Sequence, residues 1–410
     1  MRRLLILLMM WLPLVVATAQ TEGTMCEATV VDAATGRRLP FATVSVGGQR
    51  ATIANAMGTF ALHCRPTDAV HVTHVGYKST TVEARQMPAV VKLEPREMQL
   101  DEVVVLPMGS IIDRLRRATL RMQRDHRREQ SQYFYRQTAF CGAQCYEFAE
   151  AFITGGCAVW LNNLKLVNGR YAGLRSDSTH QYTYFGNFFT FSQIAMAATY
   201  NVPELTDDVV PLFKDYNKFY DISYKSTTDD DGHRLIAITF EPLPEKLKRY
   251  AMIGGTLYVD EETLHILRFE GEGLNILTET KIPVQTEGGT RRRTEQTTSK
   301  VSFSFVVDMT EERGFTEVQS VYIDESHESN GETISTRSLM FNIGSDDTAQ
   351  TKTKRSKAKS LDFGSKLHHS IAKRGYDAGF WQQDEIVRRT PVEQAVQELF
   401  EQHNLFGVMQ

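Results

Sequence analysis

Between residues 26 and 93 apolar and polar positions alternate in short runs. Val44 and Val46 alternate with Thr43 and Ser45, the period-two signature of a strand with one buried face. Extended segments are predicted at 26–31, 41–46, 58–63, 70–74, 79–82 and 89–93. Asp32-Ala-Ala-Thr-Gly36, Pro66-Thr-Asp68 and Gly76 punctuate them as turns, and Gly36 is free to take a positive φ. Short strands at this spacing predict a small β-sandwich.

From Ser110 the period lengthens. Ile111, Ile112, Leu115, Ala118, Thr119 and Met122 fall on one helical face, with Arg114, Arg117, Arg121 and Arg124 largely elsewhere. Ser110 is placed as N-cap, with Asp113 at the third helical position. This connecting helix presents a solvated basic face; contact with anionic lipid head groups is the alternative.

Period two returns at residue 131. Segments 132–136 and 146–152 predict two paired strands. Glu147 and Glu150, an odd number apart on a strand, point to opposite faces and make no acid–base dyad. Segments 158–167 and 181–185 are extended, and 192–200 and 204–213 are short helices. Four hairpins follow: 219–226 with 234–240, 255–259 with 265–269, 275–284 with 300–308, and 314–325 with 332–343. Asn330-Gly331 is the strongest turn signal among them. A polar, lysine-rich linker follows, after which Tyr376, Phe380 and Trp381 dock back on the sheet. Thr390-Pro-Val-Glu393 is a capping box with proline at the first helical position, opening a terminal helix through Gln402.

The expected architecture is mainly β: an N-terminal β-sandwich (24–106), a connecting helix (109–128), and a larger antiparallel, half-barrel-like α+β domain (131–344) with a C-terminal helix. Residues 345–375 are assigned as a basic linker and 376–410 as the docking segment and helix.

Residues 1–19 have the layout of a secretory leader. Arg2 and Arg3 precede an apolar run broken by Pro13, and Ala17-Thr-Ala19 forms a cleavage box. An uncleaved anchor is disfavoured because a membrane span needs ~20 apolar residues. A lipoprotein anchor on Cys26 is disfavoured because Gly23-Thr-Met25 is no lipobox. No later run is apolar and long enough for a transmembrane helix, so none is expected in the mature chain. Loss of the two leader arginines takes the formal charge from −4 to −6. This mild acidity argues against nucleic acid as a partner. Export places the chain in the periplasm or at the periphery of an outer membrane, where disulfides form. Cys26 and Cys64 fall on strands of the first domain and are the candidate bridge. Cys141 and Cys145, or either with Cys157, are candidates for a second. The Cys141–Cys145 spacing is tolerable for zinc, but no histidine pair lies near.

Val30, Asp32, Thr35, Gly36, Leu39, Ala42, Val44 and Val46, then Gly58, Phe60, Gly76, Tyr77, Leu100 and Glu102 to Val105, resemble the carboxypeptidase regulatory-like domain, a transthyretin-like sandwich. The resemblance implies a non-catalytic companion module. In its family it accompanies some metallocarboxypeptidases and also precedes outer-membrane receptors. The residues after 105 are too few for a receptor barrel of about 22 strands. His126-Arg-Arg-Glu129 has a metallocarboxypeptidase spacing, but ends an Arg-rich helix without the strand-to-loop context of that enzyme. Gly254-Gly-Thr-Leu-Tyr-Val-Asp260 resembles the repeating hairpin of lipoprotein-carrier half-barrels.

The chain has no Gly-x-Ser-x-Gly, His-Glu-x-x-His, Walker or dinucleotide motif. No catalytic, cofactor or metal residue is assigned, and no cofactor is expected. Asp229-Asp-Asp231 is a solvated hairpin tip rather than a calcium cage. Tyr182, Tyr184, Phe188, Phe189 and Trp381 are the candidate ligand groove. The expected role is a non-enzymatic envelope protein binding a protein, lipid or glycan. The alternatives are an envelope hydrolase with an unrecognised site and a carrier of lipid or another hydrophobic ligand.

Overall fold

Seven short strands build the N-terminal domain: β1 Thr24–Asp32, β2 Thr43–Val46, β3 Arg50–Ile53, β4 Thr59–Cys64, β5 Ala69–Thr73, β6 Thr80–Glu83 and β7 Val90–Leu93. They form two sheets, ordered β4-β1-β7 and β3-β2-β5-β6. All pairs are antiparallel except β1 with β7. The inward positions Val30, Val44, Phe60, Val70, Val72 and Leu93 are fully buried between them. This computed structural model describes residues 24–47, 50–96, 108–142, 144–173, 208–209, 216–228, 234–248, 251–284, 293–311, 313–329, 332–345, 359–361, 367–373, 375–382 and 386–406.

Cys26 and Cys64 form a disulfide between β1 and β4. Closing 38 residues restricts the unfolded chain enough to stabilise the sandwich by about 4 kcal/mol in the chain-entropy picture. Gly58 is required by geometry. Its φ is +73°, and a Cβ there would stand 3.1 Å from the Val30 carbonyl oxygen. Asn55 completes that turn by accepting from the Met57 and Thr59 N–H groups at 2.9 and 3.2 Å. Strand β3 was not among the expected segments. Its Ile53 is fully buried, but against the second domain rather than in the sandwich core.

Helix α1 spans Met108–Asp125. It starts two residues before Ser110, which therefore lies in its first turn and is not the N-cap. Beyond it, β8 Gln130–Cys141, β9 Gln144–Gly156, β10 Asn162–Gly173, β11 Asp208–Val209, β12 Tyr220–Thr228, β13 Arg234–Pro242, β14 Ala251–Asp260, β15 Ile266–Val284, β16 Arg293–Thr310, β17 Glu317–Ser329, β18 Glu332–Ser345 and β19 Lys359–Ser360 join one sheet. Its order is β12 through β18, then β8, β9, β10 and β19. Neighbours on this path are antiparallel, and β11 pairs with β14 in parallel.

Three expectations are corrected. Residues 265–269 and 275–284 are not separate strands: β15 is continuous, with a bulge between Gly273 and Ile276. Glycines make the long strand possible. A Cβ on Gly255 would lie 2.1 Å from the Glu270 carbonyl oxygen, and one on Gly271 2.0 Å from that of Gly254. Within the expected helix 204–213, Asp208–Val209 is a strand, because its backbone groups are met by Ala251 and Met252. Within the expected linker, Lys359–Ser360 pairs with β10 and Leu367–Ala372 is helical. Leu361, Leu367 and Ile371 are buried apolar anchors in this basic stretch.

Eleven strands on the sheet path would span about 48 Å if laid flat at ~4.8 Å each. Yet Tyr220 at one edge and Leu361 at the other belong to a single core, together with Ile111, Ile112 and Leu115 of α1. One apolar core thus runs along the sheet from edge to edge and takes in the first turns of α1. The sheet's inner face carries Ile236, Ile238, Leu257, Val259, Phe269, Phe305, Val307, Val321, Ile323, Met340 and Tyr135. Its outer face carries Tyr258, Arg268, Asp308, Tyr322, Phe341, Phe134, Arg136 and Glu150, which are paired across the strands. The sandwich and the C-terminal segment both pack on that outer face. The terminal helix is Pro391–Gln402, with the capping box of Thr390 and Glu393 in place.

Candidate functional site

A cavity of about 330 Å³ opens where the sandwich meets the outer face. One wall is the sandwich: Thr73 to Tyr77, Ser79 and Arg96. The other is the sheet: Arg234, Leu235, Asp260 and Leu267. The volume lies at the small end of ligand pockets, about 300–1,000 Å³.

The sandwich wall is shaped by the turn after β5. Tyr77 N–H donates to the His74 carbonyl at 3.1 Å, and Gly76 takes φ +85°, a conformation that favours glycine. Arg96 N–H donates to the Gly76 carbonyl at 2.9 Å, which fixes the start of that side chain beside the turn. Tyr77 Oη donates to Asp32 Oδ2 at 2.9 Å, while Asp32 Oδ1 accepts from the Ala34 and Thr35 N–H groups. The Thr35 N–H contributes most to holding the Asp32 carboxyl below its usual range, and burial raises the Tyr77 hydroxyl. The Gly-Tyr pair of the sequence thus braces the turn against the first loop.

His74 lines the cavity. Its ring meets Tyr77 edge-on at 5.1 Å, and Nδ1 lies 2.9 Å from the Val75 carbonyl oxygen. Burial, reinforced by Arg268, pushes its pKa down to about 4, so the imidazole is neutral. Arg268 Nε donates to Glu270 at 2.8 Å and Nη1 to Asp308 at 3.1 Å. Tyr258 Oη donates to Glu270 at 3.0 Å. Burial pulls the Arg268 guanidinium down, but Asp308 and Glu270 outweigh it and keep it charged. On the sheet wall Arg234 pairs with Glu261 at 3.0 Å, and Asp260 accepts from the Thr263 N–H and hydroxyl. A neutral histidine this weakly basic suits hydrogen bonding better than proton abstraction near pH 7.

Two other polar clusters are closed by packing. Ser131 Oγ donates to Glu317 at 2.9 Å, and Arg313 Nη2 donates to Ser131 Oγ at 2.8 Å and to Cys157 Sγ at 2.9 Å. This cluster combines a hydroxyl and a thiol with a carboxylate. However, burial pushes the Cys157 thiol up to about 11, away from the nucleophilic thiolate. On the outer face Glu150 receives Arg136 Nε at 2.7 Å, Arg170 Nη2 at 2.6 Å and Arg389 Nη2 at 3.1 Å. Burial alone would raise its carboxyl; Arg136, Arg389 and Arg170 outweigh that and hold it at about 2.

Tyr182, Tyr184, Phe188 and Phe189 lie outside the described residues. Trp381 packs at 5.5 Å from the Phe152 ring and 4.8 Å from the Arg170 guanidinium. It therefore serves the outer-face packing around Glu150. Glu147 and Glu150 do face opposite ways: Glu147 accepts from Gln137 on the inner face at 2.8 Å. Cys145 and Cys157 are buried thiols, so neither forms the second bridge. His126 stacks on Phe315 at 4.3 Å, and Glu129 pairs with Arg313 at 3.5 Å. Asp229 to Asp231 lie outside the described residues. Among the described residues no cluster of three or more His, Cys, Asp or Glu could hold a metal ion, and no helix is long and apolar enough to cross a membrane. The cavity was missed because its walls are some 160 residues apart in sequence. Only the His74-Val-Gly-Tyr77 turn signalled one of them.

The family model of the CarboxypepD_reg-like domain matches residues 27–105, which cover the sandwich from within β1 onward. No curated protein matches the chain.

Proposed function

We propose that this is an exported, non-enzymatic envelope protein whose CarboxypepD_reg-like sandwich and large antiparallel sheet together form a binding body, with the junction cavity as its ligand site. The observation that carries the proposal is that cavity: neither domain alone builds it, and it presents a neutral histidine, a tyrosine, two arginines and an aspartate to one space. Those groups favour a small polar ligand, or the polar tip of a glycan or partner protein, over a hydrocarbon chain. The leader-like residues 1–19 and the Cys26–Cys64 disulfide support an oxidising compartment, either the periplasm or the outer-membrane periphery. Lipid carriage has less support, since the described apolar side chains of the inner face are buried in one packed cluster.

Two measurements test this. Fractionation with a C-terminal tag should place the mature chain, cleaved after Ala19, in the periplasmic or membrane-peripheral fraction. Native mass spectrometry of the protein purified from that fraction, followed by a glycan-array screen, should show a polar ligand. Ser79→Trp, which fills the exposed mouth of the cavity, should abolish its binding. Ligand retention in Ser79→Trp would sink the assignment of the cavity, and a co-purified lipid displaced by inner-face variants would favour the carrier reading instead.

A further inference from the structure

Residues 386–390 run as a strap through the junction, and residues 386–389 contact both bodies. Three consecutive carbonyls are captured by side chains from alternating sides. Thr52 Oγ1 of the sandwich donates to Ile386 O at 2.8 Å, Arg136 Nη2 of the sheet to Val387 O at 2.9 Å, and Asn55 Nδ2 of the sandwich to Arg388 O at 3.2 Å. The side chains continue the pattern. Arg388 pairs with Glu27 of β1 at 2.6 Å, and Arg389 reaches Glu150 of β9. Val387 is fully buried in a cluster with Phe41 and Ile53 from the sandwich and Phe134, Leu339 and Phe341 from the sheet. The strap then passes directly into the capping box of the terminal helix, whose Val396 and Phe400 pack on Phe148 and Ala172.

We infer that this C-terminal strap is the clasp that holds the sandwich on the sheet, so that docking of the N-terminal domain depends on the last segment of the chain. Direct contact between the two domains is made through β3 against β18 and at the cavity walls. It includes Phe41 on Tyr322 at 4.3 Å between ring centroids, together with the cluster that Val387 completes. Domains of one chain move relative to one another unless their shared interface is large and apolar. A segment that fills the shared apolar pocket and presents its carbonyls to both sides changes that balance. Because the sandwich supplies one wall of the junction cavity, the clasp also governs whether that cavity exists, whatever it binds.

The test uses the full chain. Val387→Asp breaks the clasp from the strap side. The paired change Thr52→Val with Arg388→Ala removes the strap's hydrogen bond and ion pair to the sandwich, and leaves Phe41 and Ile53 in place against the sheet. In both variants small-angle scattering should show a larger radius of gyration than wild type. Thermal unfolding should separate into a sandwich and a sheet transition, and the amides of residues 386–390 should exchange about tenfold faster or more. Val387→Ile should retain the wild-type profile. If Val387→Asp does not fold, the Thr52→Val/Arg388→Ala chain decides the matter, since it leaves Val387, the sheet and the sandwich core intact. An unchanged radius and a single unchanged transition in a folded Thr52→Val/Arg388→Ala or Val387→Asp chain would show that the sandwich docks without the strap, and would overturn the inference.

Discussion

The two faces of the large sheet are buried by opposite means. The inner face is an ordinary core: Phe305, Val321, Ile323 and Met340 lie in one apolar cluster that also holds Ile111, Ile112 and Leu115 of α1, and their burial is driven by loss of contact with water. The outer face keeps the polar half of the alternation, with Arg136, Glu150, Arg170, Arg268 and Asp308 all nearly excluded from solvent. There the charges neutralise one another beneath the sandwich and the C-terminal segment. Three guanidinium groups surround Glu150, with Glu393 at 3.8 Å from Arg136 and Glu401 at 3.1 Å from Arg170. Buried ion pairs of this kind offset their own desolvation rather than add much stability, and they penalise any arrangement in which a partner is missing. The inner face thus supplies stability, and the outer face supplies a condition on what may cover it.

The largest effect should come from removing the one carboxylate at the centre of that condition. Glu150→Ala leaves Arg136, Arg170 and Arg389 facing one another in a buried site. Loss of one partner from a buried ionic group costs about 3–5 kcal/mol. Chemical denaturation should show that loss, and the C-terminal segment should become sensitive to protease. Phe305→Ala on the inner face should cost a similar 3–5 kcal/mol through the cavity left behind, but without releasing the C-terminal segment. If both variants loosen the C-terminal segment equally, the outer network has no separate role.

Titration sharpens the same contrast with opposite signs. Glu150 ionises more easily when folded, about 2 against 4.5. Its contribution is therefore complete above pH 4.5 and lost as pH falls toward 2. Glu325, opposite Phe303 on the inner face, is the reverse case. Burial pushes its carboxyl up to about 8, so the folded state holds the proton. Its contribution is complete below pH 4.5 and is lost as pH rises from there through 8. Unfolding free energies measured at pH 5 and pH 8 should differ less in Glu325→Gln than in wild type. An identical slope in the variant would remove Glu325 as the cause.

How much of this was legible follows from what covers each strand. Strand β5, with one buried face, shows clean alternation, and the meander after residue 219 is readable because its turns carry Asp, Asn and Gly. Strand β8 is buried on both faces from Tyr133 to Ala139, so no solvent-facing polar stripe is left to reveal which side is which. Arg136, Glu150 and Arg170 stand on adjacent strands, and charges placed centrally in such apolar runs were the one available signal of a buried network. Arg389, some 240 residues from Glu150, gave no such signal. Strand β3 was missed for the same reason as the cavity: its apolar residue answers to another domain.

The smallest expected effect tests whether the terminal helix docks as a formed element. Thr390 Oγ1 accepts from the Glu393 N–H at 3.3 Å, and Glu393 Oε2 accepts from the Thr390 N–H at 2.7 Å. Thr390→Ala removes the first bond and leaves the strap carbonyls, Val387 and Arg389 untouched. The loss should be about 1 kcal/mol, the usual worth of an N-cap. It should appear as faster amide exchange in the first turn of Pro391–Gln402, with the sandwich still docked. A Thr390→Ala chain that loses its sandwich contact would mean that helix and strap form one unit, and that the outer face is covered in a single cooperative step rather than by a strap followed by a helix.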